Sequence, residues 1–305
     1  MIFLIMFALF ILIFISICYF CYLYAFKRDA RRQSHEYDVP SSDYRNKVIG
    51  NILNLMQTPF QEAEIVSEDG LKLYGRYYHF KDGAPVVIMM HGYRSNAFRD
   101  SNGGFLIVKN YGLNILMPDQ RAHGKSEGGT ITFGVMESSD CLKWIDYVKK
   151  TCGKNTKIIL MGLSMGAATV TMTADIAPEE NVKGIIADCG FSSPKEILLD
   201  VSRQMKIPAK PAYFFLKISA KLFGHFDVEK KSSVEALKKT NIPVLFIHGE
   251  ADTFVPCAMS RTCHEICVSD KKIFTVEKAT HAVSYYLDTE GYTNAVTDFL
   301  NSVLK

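Results

Sequence analysis

The sequence predicts a doubly wound α/β domain behind one apolar helix long enough to cross a membrane. Three observations lead there. Short aliphatic runs alternate with helical stretches from about residue 62 onward. Residues 1–26 carry no charged side chain. Of 305 residues, 48% are apolar and 22% charged, which excludes disordered and collagen-like classes. Lys and Arg total 35 against 32 acidic residues, a net charge of +3. With no long basic block, that balance argues against nucleic acid as a partner.

As a helix, residues 1–26 would rise about 39 Å, against a hydrocarbon core of about 30 Å. Tyr19, Phe20, Tyr22, Tyr24 and Phe26 crowd the carboxyl end, where amphipathic rings favour the headgroup zone. Lys27-Arg28-Asp29-Ala30-Arg31-Arg32 follows. The rival reading is a cleaved signal peptide. No basic region precedes the run, it is too long, and no small-x-small cleavage site follows. Residues 1–26 are therefore expected to stay as a single-pass anchor in a lipid bilayer. The four basic residues after it predict, by the positive-inside rule, a cytoplasmic catalytic domain. The eight cysteines lack the spacing of a secreted disulfide scaffold, and free thiols agree with a reducing compartment.

Residues 27–60 read as a polar tether, with breaks at Pro40-Ser41-Ser42-Asp43 and Thr58-Pro59 and room for a short helix over 47–56. Residues 61–305 read as the main domain. It opens with a β-hairpin, residues 64–67 and 71–74, around the turn Glu68-Asp69-Gly70. Aliphatic runs follow at 86–90, 114–117, 158–161, 184–187, 244–247 and 273–276, as in strands buried on both faces of a parallel sheet. Helical spacing appears over 137–150, through Cys141, Leu142, Ile145 and Val148, and again over 167–177 and 292–304. In such sheets ligands bind beyond the carboxyl ends of the strands.

The chemistry begins after the run at 158–161, with Gly162-Leu163-Ser164-Met165-Gly166. Alone, G-x-S-x-G is weak; chance supplies about 0.1 in a chain this long. A strand before it and a helix after it make it a nucleophile elbow, whose tight turn requires both glycines. A serine hydroxyl needs a base. Among eight histidines, His281 follows a late strand, whereas His91, His123 and His248 sit near earlier strand ends and read as structural. A carboxylate must orient the imidazole; Asp252 and Glu250 both lie just past the run at 244–247.

Taken with His91-Gly92-Tyr93, Asp119-Gln120-Arg121-Ala122-His123-Gly124-Lys125-Ser126 and His248-Gly249-Glu250-Ala251-Asp252, these pieces resemble the α/β-hydrolase superfamily over residues 62–305. Within it the chain looks like serine aminopeptidase-like hydrolases and bile-acid-acyltransferase-like esterases. Ala122 departs from the glycine usual in D-x-R-G-H-G. The resemblance implies the α/β-hydrolase fold, a Ser164–Asp252–His281 triad with Asp252 preferred over Glu250, and an oxyanion hole from the backbone N–H groups of Tyr93 and Met165. It implies an acyl-enzyme route on a small-molecule ester or acyl substrate, with no cofactor.

Residues 191–240 are too long for a plain connection and read as a small helical cap, with Tyr213-Phe214-Phe215-Leu216 and Leu222-Phe223 as its apolar face. Cys257, Cys263, His264 and Cys267 match no standard zinc spacing, so no metal is expected. The expected function is a membrane-anchored carboxylic ester hydrolase. A peptidase or amidase, an acyltransferase and a non-catalytic binding protein on the same scaffold are the alternatives. Acyl specificity and oligomeric state are not encoded in these motifs.

Overall fold

The aliphatic runs become strands because neighbouring residues in each must be buried on opposite faces. A computed structural model describes residues 1–29 and 42–305, side chains 42–44 excepted. The chain opens with α1 (Ile2–Ala25) and α2 (Ser42–Gln57). Strands β1 (Gln61–Val66) and β2 (Lys72–Tyr78) form the hairpin. There follow β3 (Val86–Met90), α3 (Ala97–Tyr111), β4 (Asn114–Pro118), α4 (Glu137–Cys152), β5 (Ile158–Leu163), α5 (Met165–Thr173) and β6 (Val182–Asp188). The cap carries α6 (Pro194–Gln204) and α7 (Ala209–Leu222), with α8 (Ser233–Leu237) leading back to the sheet. Last come β7 (Val244–Gly249), α9 (Cys257–Ile266), β8 (Lys271–Val276), α10 (Ser284–Leu287) and α11 (Thr289–Val303).

The eight strands form one sheet in the order β1-β2-β4-β3-β5-β6-β7-β8. β1 and β2 are antiparallel to their neighbours and the rest are parallel. Alternate residues serve alternate layers, as the strand period of two requires. Val86, Ile88, Ile158, Leu160, Val244 and Phe246 pack with Trp144 on one face. Val87, Met89, Ile159, Met161, Leu245 and Ile247 pack with Phe105 and Leu300 on the other.

The segment forming α3 carries no helical expectation from sequence, because Gly103-Gly104 lowers helix propensity. The glycines are there for close packing. A Cβ on Gly103 would stand 2.5 Å from the Tyr285 ring, and one on Gly104 2.5 Å from Met161 Cε. Asn96 compensates by capping the helix, accepting from the Arg99 N–H.

α1 is exposed over residues 2–13 and is a candidate membrane span by length and composition. Its carboxyl end docks on the domain. Phe26 O accepts from the Ile131 N–H, the Arg28 N–H reaches Gly129 O, and Lys27 bridges Thr130. Residues 30–41 of the expected tether, including Arg31, Arg32 and Pro40-Ser41, lie outside the described residues. α2 covers more than the expected 47–56 and packs on α3, burying Leu55 in the second core layer.

Trp144 is fully buried, and its ring closes over Gly75 of β2. Trp144→Ala is expected to destabilise the domain by about 3–5 kcal/mol. Urea denaturation followed by circular dichroism measures this; an unshifted midpoint would contradict the packing described.

Candidate active site

β5 runs into α5 through a turn in which Ser164 holds φ 56° and ψ −116°. Neither flanking glycine has room for a side chain. A Cβ on Gly162 would lie 2.2 Å from Gly166 O, and one on Gly166 2.0 Å from Met90 O. The serine is thereby lifted at the carboxyl edge of the sheet, and its N–H is held by Asp188 O at 2.8 Å. Arg94, Cys189 and Ala282 also hold positive φ around it. Strain of this kind persists only where the surroundings over-determine the backbone.

Three of the residues singled out from sequence meet here. His281 Nε2 lies 3.0 Å from Ser164 Oγ, and its Nδ1 lies 2.7 Å from Asp252 Oδ2. They come from the ends of β5, β7 and β8, with His281 lying 117 residues from Ser164 and 29 from Asp252 along the chain. A second close approach pins the histidine loop: a Cβ on Gly249 would stand 2.2 Å from Ala279 O. The Phe254 ring packs on His281 at 5.1 Å. Glu250, the other carboxylate considered, instead faces outward and pairs with Arg261 at 2.6 Å.

The Asp252 carboxylate is buried. Burial alone would push its pKa up, but the neighbouring His248 and His281 rings and the Val255 N–H hold it down at about 2. It is thus an ionised acceptor at neutral pH. That fixes the His281 tautomer: Nδ1 carries the proton, and the Nε2 lone pair faces the serine hydroxyl. His248 is the residue that sequence reasoning undervalued. Its Nε2 donates to Val255 O at 2.8 Å and stands 3.3 Å from Asp252 Oδ2. Its signal was the four-residue spacing to Asp252 across Gly249.

The loop carrying Tyr93 runs beside the serine. A Cβ on Gly92 would be 3.4 Å from Ser164 Cβ. Asp100 fixes this loop, accepting from the Gly92 N–H at 2.6 Å and the Ser95 hydroxyl at 2.6 Å. His123 Nε2 accepts from the Arg94 N–H at 3.0 Å, while its Nδ1 donates to Arg121 O. Burial drives the His123 pKa well down, keeping it the neutral acceptor this requires. The Tyr93 side chain leaves the serine and donates to Ala25 O at 2.8 Å. Met165 is the first residue of α5, so its N–H has no partner within the helix. Ala122 holds φ 61°, the left-handed conformation that explains why glycine suits its position.

Cys263 and Cys267 are packed in the first core layer, and the His264 ring meets Phe246 edge-on. A set of potential metal ligands does occur at the site itself, where ligand atoms of Cys189, Asp252 and His281 lie within 4.8 Å of one another. Asp252 and His281 are already bonded to each other, and burial pushes the Cys189 thiol well above its usual range, so a thiolate ligand is disfavoured.

Asp188, at the end of β6, is a second buried carboxyl that sequence reasoning passed over. Tyr292 donates to its Oδ2 at 2.9 Å, and among the described residues Oδ1 has no partner. Burial raises its pKa from 3.8 to about 6. Because the folded value is the higher one, its favourable contribution is complete below about pH 4 and is lost as pH rises through 6. Asp188→Asn keeps an acceptor for Tyr292 and removes the ionisation. The stability of the wild type relative to this variant is expected to fall by about 3 kcal/mol between pH 4 and pH 8. Paired urea denaturations read it; a pH-independent difference would contradict the assignment.

A sequence profile described as alpha/beta hydrolase fold matches residues 85–217. The uncharacterized protein YqkD of Bacillus subtilis is 27% identical over 240 residues, covering 78% of each chain. An uncharacterized membrane protein of Saccharomyces cerevisiae is 22% identical over 249 residues, covering 79% of this chain and 80% of its own. Among solved structures, the Pyrococcus furiosus esterase Pf2001 superposes with a TM-score of 0.68 at 23% identity, over 83% of this chain and 94% of that one. With the sheet order and the serine turn already described, these matches show that the chain has the α/β-hydrolase fold.

Proposed function

We propose that the chain is a membrane-anchored serine hydrolase that cleaves carboxylic esters through an acyl-enzyme on Ser164. The observation that carries this reading is the pair of hydrogen bonds through His281, 3.0 Å to Ser164 Oγ and 2.7 Å to Asp252 Oδ2. Ser164 Oγ attacks the acyl carbon as its proton passes to His281 Nε2. The buried Asp252 carboxylate orients the imidazole and stabilises the imidazolium. The developing oxyanion is held by the Tyr93 and Met165 N–H groups, each such donor typically contributing about 2.7–4 kcal/mol. The alcohol departs with the proton from His281. Water, deprotonated by the same nitrogen, then cleaves the acyl-serine bond and releases the acid.

Anchoring through α1 is supported by its 24 residues and by their exposure over residues 2–13. The basic residues after the helix support an orientation with the catalytic domain in the cytoplasm.

Ser164→Ala is expected to lower hydrolysis of a short nitrophenyl ester by about 10⁴-fold or more and to abolish labelling by a fluorophosphonate probe. Unlabelled but folded wild-type protein would favour a binding protein on the same scaffold. Faster turnover of a matched aminoacyl amide would assign a peptidase instead. A reporter fused to the carboxyl terminus is expected to be active only in its cytoplasmic form; extracytoplasmic activity would reverse the orientation.

A further inference from the structure

The cap and α1 share a surface along a surprisingly long stretch of the helix. The Phe14 ring packs on Phe214 and Phe215 at 6.4 and 5.5 Å. Tyr19 and Tyr22 pack on Phe223 at 5.1 and 6.0 Å, and the Tyr24 hydroxyl reaches Met205 Sδ. From Phe14 to Tyr24 the helix rises about 15 Å. The stretch free of the cap, residues 2–13, is only about 18 Å long, whereas a hydrocarbon core is about 30 Å thick. If α1 lies in a bilayer across its full apolar length, roughly 12 Å of the core falls at the level of the cap. The cap cannot then stand clear of the lipid.

The cap surface suits that position. Met205 and Ile207 are 44% exposed, Phe214 54% and Leu222 49%, on the segment that meets α1. Of the three cations of α7, Lys217 pairs with Glu229 and Lys221 with Asp227, while Lys210, like Lys206 in the preceding loop, is exposed on a stem long enough to snorkel to the headgroups. The exposed apolar rim also leads to the serine. Gln204 donates to Phe254 O at 3.1 Å, and the Phe254 ring, 44% exposed, packs on His281. Beneath the rim, Tyr22, Ala25, Phe26, Tyr93, Leu216 and Met165 belong to one continuous apolar cluster, so the end of α1 and the residue after Ser164 share a wall.

We propose that α7 and the loop from Met205 to Pro208 sit in the same leaflet as α1. The mouth over Ser164 then opens onto hydrocarbon, and the substrate is an amphiphilic ester whose acyl chain arrives laterally from the bilayer. This rests on the reading of α1 as a membrane helix and of Ser164 as the nucleophile, and the tests separate the three.

Full-length protein is reconstituted in phosphatidylcholine vesicles containing acyl-brominated phosphatidylcholine, a short-range fluorescence quencher. The single native tryptophan, Trp144, is buried in the core and serves as a constant background. Phe10→Trp and Phe214→Trp are each expected to add fluorescence that the brominated lipid quenches. Quenching at position 10 without quenching at 214 overturns the immersed cap and leaves the anchor intact. Quenching at neither overturns both. In a second measurement, Met205→Glu with Ile207→Glu is expected to lower the ratio of vesicle-borne long-chain ester hydrolysis to short-ester hydrolysis at least tenfold. A ratio unchanged within threefold overturns lateral access. Ser164→Ala, assayed on both substrates, reports on the nucleophile independently of either result.

Discussion

The site depends on a steric limit between two backbones. The turn from β5 into α5 presses on the end of β3 so closely that no side chain fits at Gly166. Only there can the helix begin directly beneath the serine, with Ser164 in a backbone region that side chains avoid. The same pressure brings Gly92 against Ser164, so the loop with the Tyr93 amide and the serine are positioned by one contact. A fold that relaxed this contact by an ångström would keep its sheet and lose its geometry.

Around that contact lies a shell of buried polar groups that acts on loops. Asp100 holds the Gly92 amide, His123 the Arg94 amide, and the Phe254 and Val255 amides the Asp252 carboxylate. Arg121 is clamped by Asp140 at 2.6 and 2.7 Å and by Asp69 at 2.9 and 3.0 Å, while Arg76 grips Asp119. In a low-dielectric interior such bonds are strong when complete and expensive when broken. They give the carboxyl edge of the sheet its rigidity.

Much of this was legible in the linear sequence because strands buried on both faces are continuous aliphatic runs. Ser164, Asp252 and His281 could be singled out because each follows such a run. The α3 helix was not legible, since Gly103-Gly104 serves contacts with Tyr285 and Met161 that no local pattern records. His248 and Asp188 were hidden for a related reason: their partners are set by how loops fold back. Arg28 illustrates how a charge can carry two meanings. Counted as a topological signal beside the apolar run, it also donates to Ser126 O and Gly124 O, stitching the end of α1 to the loop after β4.

That stitching is made almost wholly to main-chain oxygens. Arg94 donates to Tyr24 O and Lys27 O, and Tyr93 to Ala25 O. Carbonyls are present whatever the side chains, so these bonds fix the phase of residues 24, 25 and 27 and leave their identity open, unlike that of the buried Phe26 and of Arg28. One residue inserted between Tyr24 and Lys27 would rotate the preceding helix by about 100° and carry its aromatic face away from the cap. Evolution of this protein should therefore tolerate more variation at positions 24, 25 and 27 than changes in the length of the junction.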